Sequence, residues 1–261
     1  MKNLFYISSS GSMATQWISK VLSSSHRIQC FHGSVGLTPV YDKTLSANSA
    51  LKLIGEYAKK GEIDYAGCVH LSAQHGVSGL DACVESGAAF CAFVRNPVLA
   101  VDSQFQERSK SFQFSSTREQ TYSSMLRSVP GLEKIVDASD QSNLVFFGCV
   151  VSAIGHYLEI EANRHKYFKF EDYTVDYQEV SKILQFITKG ELSDDHNINT
   201  AFYSHSKTNT HRTKNIGVDE TWEKKWSQTQ KAIFREVWRF ILGSFDRPQK
   251  IYPELDSLLA S

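Results

Sequence analysis

Short apolar runs rich in β-forming residues alternate along this chain with segments of helical periodicity. The strand candidates are residues 4–8, 65–71, 88–95 and 166–170. Each run is followed by a helix candidate, and these are residues 14–23, 77–86, 98–108 and 177–187. Such alternation predicts an α/β layer fold with a parallel sheet. Because ligands of such sheets bind beyond the carboxyl ends of the strands, we expect a site at that edge.

The remaining segments differ in periodicity. Residues 144–162 predict a long apolar helix, and residues 221–243 predict a long amphipathic helix. The polar segment 109–141 predicts a loop followed by a helix, whereas the polar segment 193–217 predicts a long loop. With 261 residues and no repeat, low-complexity segment or evident linker, we expect one domain that spans residues 1–261.

Composition narrows the class of protein. Lys and Arg together number 28, as do Asp and Glu, so the formal net charge of zero gives no support for nucleic-acid binding. The five cysteines include no C-x-x-C pair, and several lie in apolar runs, which predicts buried free thiols. We find no signal-peptide pattern, and no apolar run approaches the roughly 20 residues that cross a bilayer. We therefore expect no membrane span and a cytoplasmic location.

The first predicted strand ends in a cluster of Ser and Gly, and helical spacing begins at once. Small side chains let the backbone approach an anion, and a helix N-terminus offers unpaired N–H groups and the positive end of a dipole. A Walker A loop would end in Gly-Lys-Ser/Thr, but Ser12-Met-Ala-Thr15 contains no Lys. The loop therefore predicts an anion site and argues against an ordinary ATPase or GTPase.

A second block, residues 90–103, joins an apolar strand to a helix through Arg95-Asn-Pro. Pro97 suits the first helical position. Ser103 follows Arg95 by two helical turns, so a guanidinium and a hydroxyl could converge on one phosphate. The same pattern is equally compatible with a structural ion pair.

The two blocks together resemble the cytosolic and Golgi sulfotransferases that use 3′-phosphoadenosine 5′-phosphosulfate (PAPS). In that family an N-terminal strand–loop–helix, often Pro-Lys-Ser-Gly-Thr-Thr-Trp, cradles the 5′-phosphosulfate. Residues 11–17 match this motif in position and in Thr15 and Trp17. A later strand ends in Arg-Asn-Pro, with a Ser eight residues after the Arg, and holds the 3′-phosphate. Arg95 and Ser103 match that motif at the same spacing.

Two further segments extend the resemblance. Residues 167–173 are similar to the family's strand that ends in Tyr-Glu-Asp-Leu, with Phe170 at the aromatic position near adenine. Residues 211–217, followed by Trp222 and Trp226, resemble more loosely the C-terminal loop that closes over the 3′-phosphate. Residues 26–63 and 109–164, in the regions that shape the family's acceptor pocket, match little.

The resemblance implies a three-layer α/β sandwich with a central, mostly parallel sheet of the P-loop NTPase type. The implied reaction transfers a sulfuryl group from PAPS to a hydroxyl or amine of a small metabolite or carbohydrate, without a metal. The product of the cofactor would be adenosine 3′,5′-bisphosphate.

The resemblance also assigns site residues. The 5′-phosphosulfate would be bound by Gly11, Ser12, Met13, Ala14, Thr15, Gln16 and Trp17. The 3′-phosphate would be bound by Arg95, Ser103, Arg212 and Lys214. Phe170 and Trp17 would flank adenine, although Trp17 could instead pack the first helix against the sheet. His70 is the first candidate for the general base and His75 the second, while a carboxylate or no base at all stays open.

Two departures concern charge. Ser12 occupies the catalytic position where the family's loop carries Lys or Arg, and Cys68 replaces the Lys two residues before the base. Candidates for a substitute cation are Lys20, Arg27, Arg212 and Lys214, of which the last two are better placed. Two alternatives therefore remain: a non-catalytic or weakly active relative that binds adenosine 3′,5′-bisphosphate or a phosphorylated ligand, and an atypical P-loop kinase.

Overall fold

A computed structural model of the chain describes residues 3–11, 13–39, 45–70, 78–110, 116–137, 140–204, 217–243 and 250–260. The chain divides into two units, each made of two separate stretches of sequence. The first unit comprises Met1–Val94 and His165–Thr210, and the second comprises Arg95–Arg164 and His211–Ser261. The expectation of one domain over residues 1–261 stays a prediction.

The first unit is built on a parallel sheet. Within the described ranges its five strands are β1 (Asn3–Ser8), β2 (Ile28–His32), β3 (Tyr65–Val69), β4 (Ala89–Val94) and β5 (Tyr167–Lys169). They lie in the order β2-β3-β1-β4-β5, and every neighbouring pair is parallel. This confirms the predicted α/β fold with a parallel sheet. Four strands match the predicted runs, whereas β2 was not predicted.

Helices connect and cover these strands. In chain order they are α1 (Thr15–Leu22), α2 (Ala47–Lys60), α3 (Ser78–Ser86), α4 (Pro97–Lys110), α5 (Ser116–Ser128), α6 (Gln141–Ala162), α7 (Phe170–Tyr173), α8 (Tyr177–Ile187), α9 (His196–Ser204), α10 (Val218–Glu220), α11 (Gln228–Leu242) and α12 (Leu255–Ala260). A 3₁₀ turn spans Leu132–Lys134, and a π-helical turn spans Thr221–Lys225.

Both faces of the sheet are buried under helices of the same unit. Successive side chains of a strand point to opposite faces, so Phe5 and Ile7 join the apolar cluster formed with α1, α8 and α9. Tyr6, between them, joins the opposite cluster formed with α2 and α3. A sheet covered on both faces explains why its strands read as nearly continuous apolar runs.

The long apolar helix α6 is the centre of the second unit, where it packs against α4, α5 and α11. It begins three residues before the predicted start because the Asp140 carboxylate caps it, accepting a hydrogen bond from the Asn143 N–H at 3.1 Å. By length and composition α6 could cross a membrane, so the expectation of no membrane span stays a prediction. Two thirds of its most apolar window (67%) is buried inside the protein, as in a core helix, so this is weak evidence for a span.

The predicted helix over residues 221–243 is wrong in its first part. The π-helical turn ends at Trp226, whose backbone is extended, and α11 starts afresh at Gln228. Ser227 and Gln230 form a capping box that stabilises this new N-terminus. The predicted loop over residues 193–217 contains helix α9, and residues 205–216 lie outside the described ranges.

The thiols agree with the sequence-based prediction. The cysteines are all free and buried, and they are Cys30, Cys68, Cys83, Cys91 and Cys149. Burial raises the pKa of Cys149 to about 11 and that of Cys83 to about 12. These side chains therefore behave as small apolar core residues.

Candidate functional site

The loop between β1 and α1 lies where the strand order of the sheet reverses. β1 is flanked by β3 and β4, and the chain builds β2 and β3 on one side of β1 before it adds β4 on the other. The carboxyl ends of strands at such a switch point are where open α/β sheets bind their ligands. The loop that follows Ser8, the last residue of β1, is therefore the candidate site.

The backbone of this loop contains two left-handed turns. Gly11 has φ +91°, and its N–H donates a hydrogen bond to the Ser9 Oγ at 3.1 Å. Ala14 has φ +49° and ψ +31° and immediately precedes the first residue of α1, Thr15. A left-handed conformation is costly for a residue with a Cβ. Strained positions of this kind occur preferentially at functional sites.

Helix α1 has no side-chain cap at its start. The first intrahelical hydrogen bond runs from the Ile18 N–H to the Ala14 carbonyl oxygen at 3.0 Å. The N–H groups that precede Ile18 in the helix have no partner within the helix, and the methyl group of Ala14 can accept no hydrogen bond. The arrangement suits an anion at the start of α1.

His70 follows β3 directly and contacts the loop. Its backbone has φ +60°, and its N–H donates to the Ile7 carbonyl oxygen at 3.0 Å. The ring Nδ1 lies 2.9 Å from the Ser9 carbonyl oxygen. A carbonyl only accepts hydrogen bonds, so Nδ1 carries the proton and Nε2 carries the lone pair of the neutral ring. The ring also lies against Gly11, where an added Cβ would come within 3.4 Å of its Cε1.

His32, the last residue of β2, is the site residue that sequence reasoning missed. Its Nε2 lies 3.0 Å from the Thr15 Oγ1, and its ring stacks on that of His70 at 5.8 Å with an interplanar angle of 29°. Burial, together with the charge of His70, lowers the pKa of His32 to about 4, so it is neutral at pH 7. The available signal was the mostly apolar segment at residues 28–31, which is interrupted by Gln29 and is followed by this His.

The structure also describes Met13, Gln16 and Trp17, which were assigned to the 5′-phosphosulfate, and Phe170, which was assigned to adenine. Gln16 is exposed on α1, and Met13 is 2% exposed. Trp17 belongs to the apolar core, where its ring meets Phe202 edge-on at 5.6 Å. This is the packing role foreseen for Trp17, and its role at adenine stays a prediction. Phe170 begins α7 and packs against the same core.

Arg95 and Ser103 belong to the second unit. Arg95 and Ser103 are both half-buried, with Pro97 as the first residue of α4, as predicted. The Asn96 Oδ1 accepts a hydrogen bond from the Val98 N–H at 3.0 Å and so caps the helix. The neighbouring Asp102 forms an ion pair with Lys225 at 2.9 Å.

Two candidate cations lie away from the loop. Lys20 is exposed in the last turn of α1, at the opposite end of the helix from Ala14. Arg27 precedes β2 and pairs with Asp64 at 2.6 Å, at the amino ends of β2 and β3. Neither therefore compensates for the missing charge. Ser12, His75, Arg212 and Lys214 lie outside the described residues.

No protein-family model matches this chain, and a search of the curated proteins finds none that is similar. Within the described ranges, no group of three or more His, Cys, Asp and Glu side chains could hold a metal ion. Among the described residues, the loop offers backbone N–H groups and the hydroxyls of Ser9, Ser10 and Thr15. The imidazoles of His32 and His70 lie beside it.

Proposed function

We propose that this protein is a PAPS-dependent sulfotransferase with a P-loop-like loop between β1 and α1. The observation that carries the proposal is the left-handed backbone of Ala14, directly before α1. When Thr15 and Trp17 are matched to Pro-Lys-Ser-Gly-Thr-Thr-Trp, Ala14 falls on the Gly of the motif. Gly is the residue that adopts this conformation without strain. The loop thus has the backbone conformation that explains a Gly in the motif, although the residue differs.

The loop and the start of α1 fit a phosphosulfate group. The first N–H groups of α1 have no partner within the helix, and the helix dipole favours negative charge at this end. The Thr15 hydroxyl lies at the same helix end and can add one donor. These groups would bind the 5′-phosphosulfate of PAPS, which supplies the sulfuryl group when bound.

His70 is the proposed general base. The Ser9 carbonyl holds the Nδ1 proton, so Nε2 is the atom that accepts a proton. In the proposed reaction the acceptor oxygen or nitrogen forms a bond to sulfur as the bond from sulfur to the bridging phosphate oxygen breaks. The acceptor proton passes to His70 Nε2, and adenosine 3′,5′-bisphosphate leaves. Imidazole suits this role near neutral pH.

The 3′-phosphate is assigned to Arg95, Ser103, Arg212 and Lys214 on the resemblance alone. A guanidinium offers a forked pair of donors to phosphate oxygens, and a hydroxyl adds another. These assignments are tested separately from the loop, through the preference of the protein for a 3′-phosphate.

The loop lacks a positive charge that the family carries there. We therefore keep the second candidate, a relative that binds the nucleotide but catalyses transfer only weakly. Cys68 replaces a Lys of the family, and this thiol is fully buried in β3 with its pKa raised by burial, so it supplies no charge. Ser12 replaces the Lys or Arg that steadies the leaving group. A missing charge-assisted contact of this kind lowers kcat by about 10²–10³.

Ligand-dependent thermal stability tests what is bound. Adenosine 3′,5′-bisphosphate at 100 times its Kd should stabilise the protein by about 2.7 kcal/mol, or roughly 5 °C or more in Tm, and ADP or ATP with Mg²⁺ should do far less. Arg95→Ala should remove the preference for the bisphosphate. Arg27→Ala, at the other end of the sheet, is the matched control and should keep it. Equal responses to the three nucleotides would exclude the proposal, and a preference for ATP with Mg²⁺ would favour the kinase.

Transfer is tested separately from binding. Radiolabelled sulfate from PAPS is offered to a pool of hydroxyl and amine acceptors, with His70→Ala as the base variant. Label in an acceptor, reduced at least 100-fold in His70→Ala, supports the sulfotransferase. Tight bisphosphate binding without transfer identifies the weakly active or non-catalytic relative. Undiminished transfer by His70→Ala would show that another group is the base.

A further inference from the structure

His32 contacts two different parts of the candidate site with two different parts of its ring. Its Nε2 edge meets the Thr15 Oγ1 at 3.0 Å. Its face stacks on the His70 ring at 5.8 Å between centroids. We propose that His32 is a positioning residue, which holds the Thr15 hydroxyl with its edge and the His70 imidazole with its face. The inference rests on the proposed function for what Thr15 and His70 do.

The contact with Thr15 fixes the direction of a hydroxyl proton. A hydroxyl has one proton to donate and two lone pairs to accept with. When the His32 Nε2–H donates to Thr15 Oγ1, the Thr15 proton is left to point at an anion bound at the start of α1. If the Thr15 hydroxyl instead donated its proton to His32 Nε2, its lone pairs would face the anion. The proposal therefore requires the tautomer of His32 that is protonated at Nε2.

The contact with His70 orients a ring that must accept a proton. The Ser9 carbonyl holds one edge of the His70 ring, Gly11 lies beside it, and His32 covers one face. Together these contacts leave the ring little freedom to turn its Nε2 away.

The charge state of His32 suits this role. Burial is the main cause that lowers its pKa, so His32 stays neutral at a pH where His70 gains the acceptor proton. Two stacked imidazolium rings would repel each other. A neutral His32 lets His70 carry the charge alone.

Two substitutions of His32 distinguish the contact that its ring edge makes with Thr15 from the contact that its ring face makes with His70. His32→Gln retains an N–H donor close to the position of Nε2 but removes the stacked ring. His32→Phe retains a ring but removes the donor. His26→Gln, at an exposed position before β2, is the matched control. Thr15→Val removes the partner hydroxyl without touching His32.

The edge is tested by binding of adenosine 3′,5′-bisphosphate. His32→Phe and Thr15→Val should each weaken binding about tenfold, and the double variant should be no weaker than either, because both remove one interaction. His32→Gln should bind within about threefold of the parent protein, as should His26→Gln. Parent-like binding by His32→Phe, or losses that multiply in the double variant, would overturn the inference while the proposed function stands.

The face is tested without any nucleotide, by NMR titration of His70 and by the ¹⁵N shifts of the His32 ring. His32→Ala should raise the titration midpoint of His70, since water then reaches its imidazolium, and His32→Phe should change it less. The ¹⁵N shifts should identify Nε2 as the protonated atom of His32. An unchanged His70 midpoint in His32→Ala, or a proton on Nδ1 of His32, would refute the positioning role. If the parent protein shows no preference for the bisphosphate, the proposed function fails and this titration alone decides the inference.

Discussion

The Tyr173 hydroxyl donates a hydrogen bond to the backbone carbonyl oxygen of Met13. Tyr173 is fully buried on α7, where its ring lies 4.4 Å from that of Phe93. Met13 belongs to the loop after β1, so a residue far along the chain fixes the carbonyl that precedes Ala14. The candidate anion site is therefore held by the core of the first unit as well as by its own turns.

Removal of that hydroxyl should loosen the loop. Tyr173→Phe leaves the buried Met13 carbonyl without this donor, which typically costs about 1–3 kcal/mol. Urea unfolding should show a free energy of unfolding lower by this amount with an unchanged m-value. Tyr203→Phe, at a side chain that is 72% exposed, is the control and should match the parent protein. Equal stability of the two variants would contradict the anchoring role.

Because the backbone of Ala14 is left-handed, we expect one substitution there to raise the free energy of unfolding. Ala14→Gly removes a Cβ from a residue at φ +49° and should stabilise the protein by about 0.5–1 kcal/mol, since relief of strain exceeds the added entropy of the unfolded chain. Ala50→Gly, inside helix α2, should instead destabilise it by about 1 kcal/mol or more. Thermal unfolding of both variants measures the contrast. A loss of stability in Ala14→Gly would show that the turn is not strained.

Because the pKa of His32 is lowered in the folded protein, we expect the stability of the protein to depend on pH. Its pKa is about 4 in the folded protein against 6.5 when unfolded, so protonation favours the unfolded state. The stabilising contribution is complete above pH 6.5 and disappears as the pH falls from 6.5 through 4, with an upper limit of about 3 kcal/mol. In His32→Gln the free energy of unfolding should depend less on pH between pH 6.5 and 4. In His26→Gln its dependence on pH should match that of the parent protein. Parallel curves for His32→Gln and the parent protein would be inconsistent with a neutral His32.

A buried carboxylate holds the C-terminal segment in the second unit. Glu161 is 1% exposed and accepts hydrogen bonds from the Tyr157 hydroxyl at 2.5 Å and from the Ile251 N–H at 3.0 Å. Glu161→Ala strips both donors of their acceptor and should lower the free energy of unfolding by about 2–4 kcal/mol. Glu161→Gln keeps an acceptor oxygen and should lose less. Hydrogen exchange at the Ile251 amide should accelerate in Glu161→Ala, and an unchanged rate would argue against the contact.

The sequence allowed local features to be predicted well. Helix α8 has the predicted bounds, because a clear amphipathic pattern coincides with an Asp176 cap that accepts from the Gln178 N–H. Strand β2 was missed because it is a short edge strand with polar residues at Gln29 and His32. The amphipathic pattern of α2, which follows it, was also overlooked, so this part of the chain had no predicted elements.

Which residues meet at the site depends on the order of the strands in the sheet. This order cannot be predicted from local sequence patterns. Thr15 and His32 are brought together because β2 pairs with β3, which in turn pairs with β1. His70 was found because a motif pointed to it. His32 has no motif, and its contacts exist only once the sheet is assembled.

Helix α6 has a consequence for how the protein is made. Its apolar surface is covered partly by α11, which begins only at Gln228, well after α6 ends at Ala162. At a synthesis rate of about 5–20 residues per second, α6 leaves the ribosome roughly 3–13 s before its partner exists. Until α11 is made, the part of the α6 surface that α11 covers has no contact with that helix. The order of elements along the chain therefore delays completion of the core around α6 until α11, the last long helix of the second unit, has been translated.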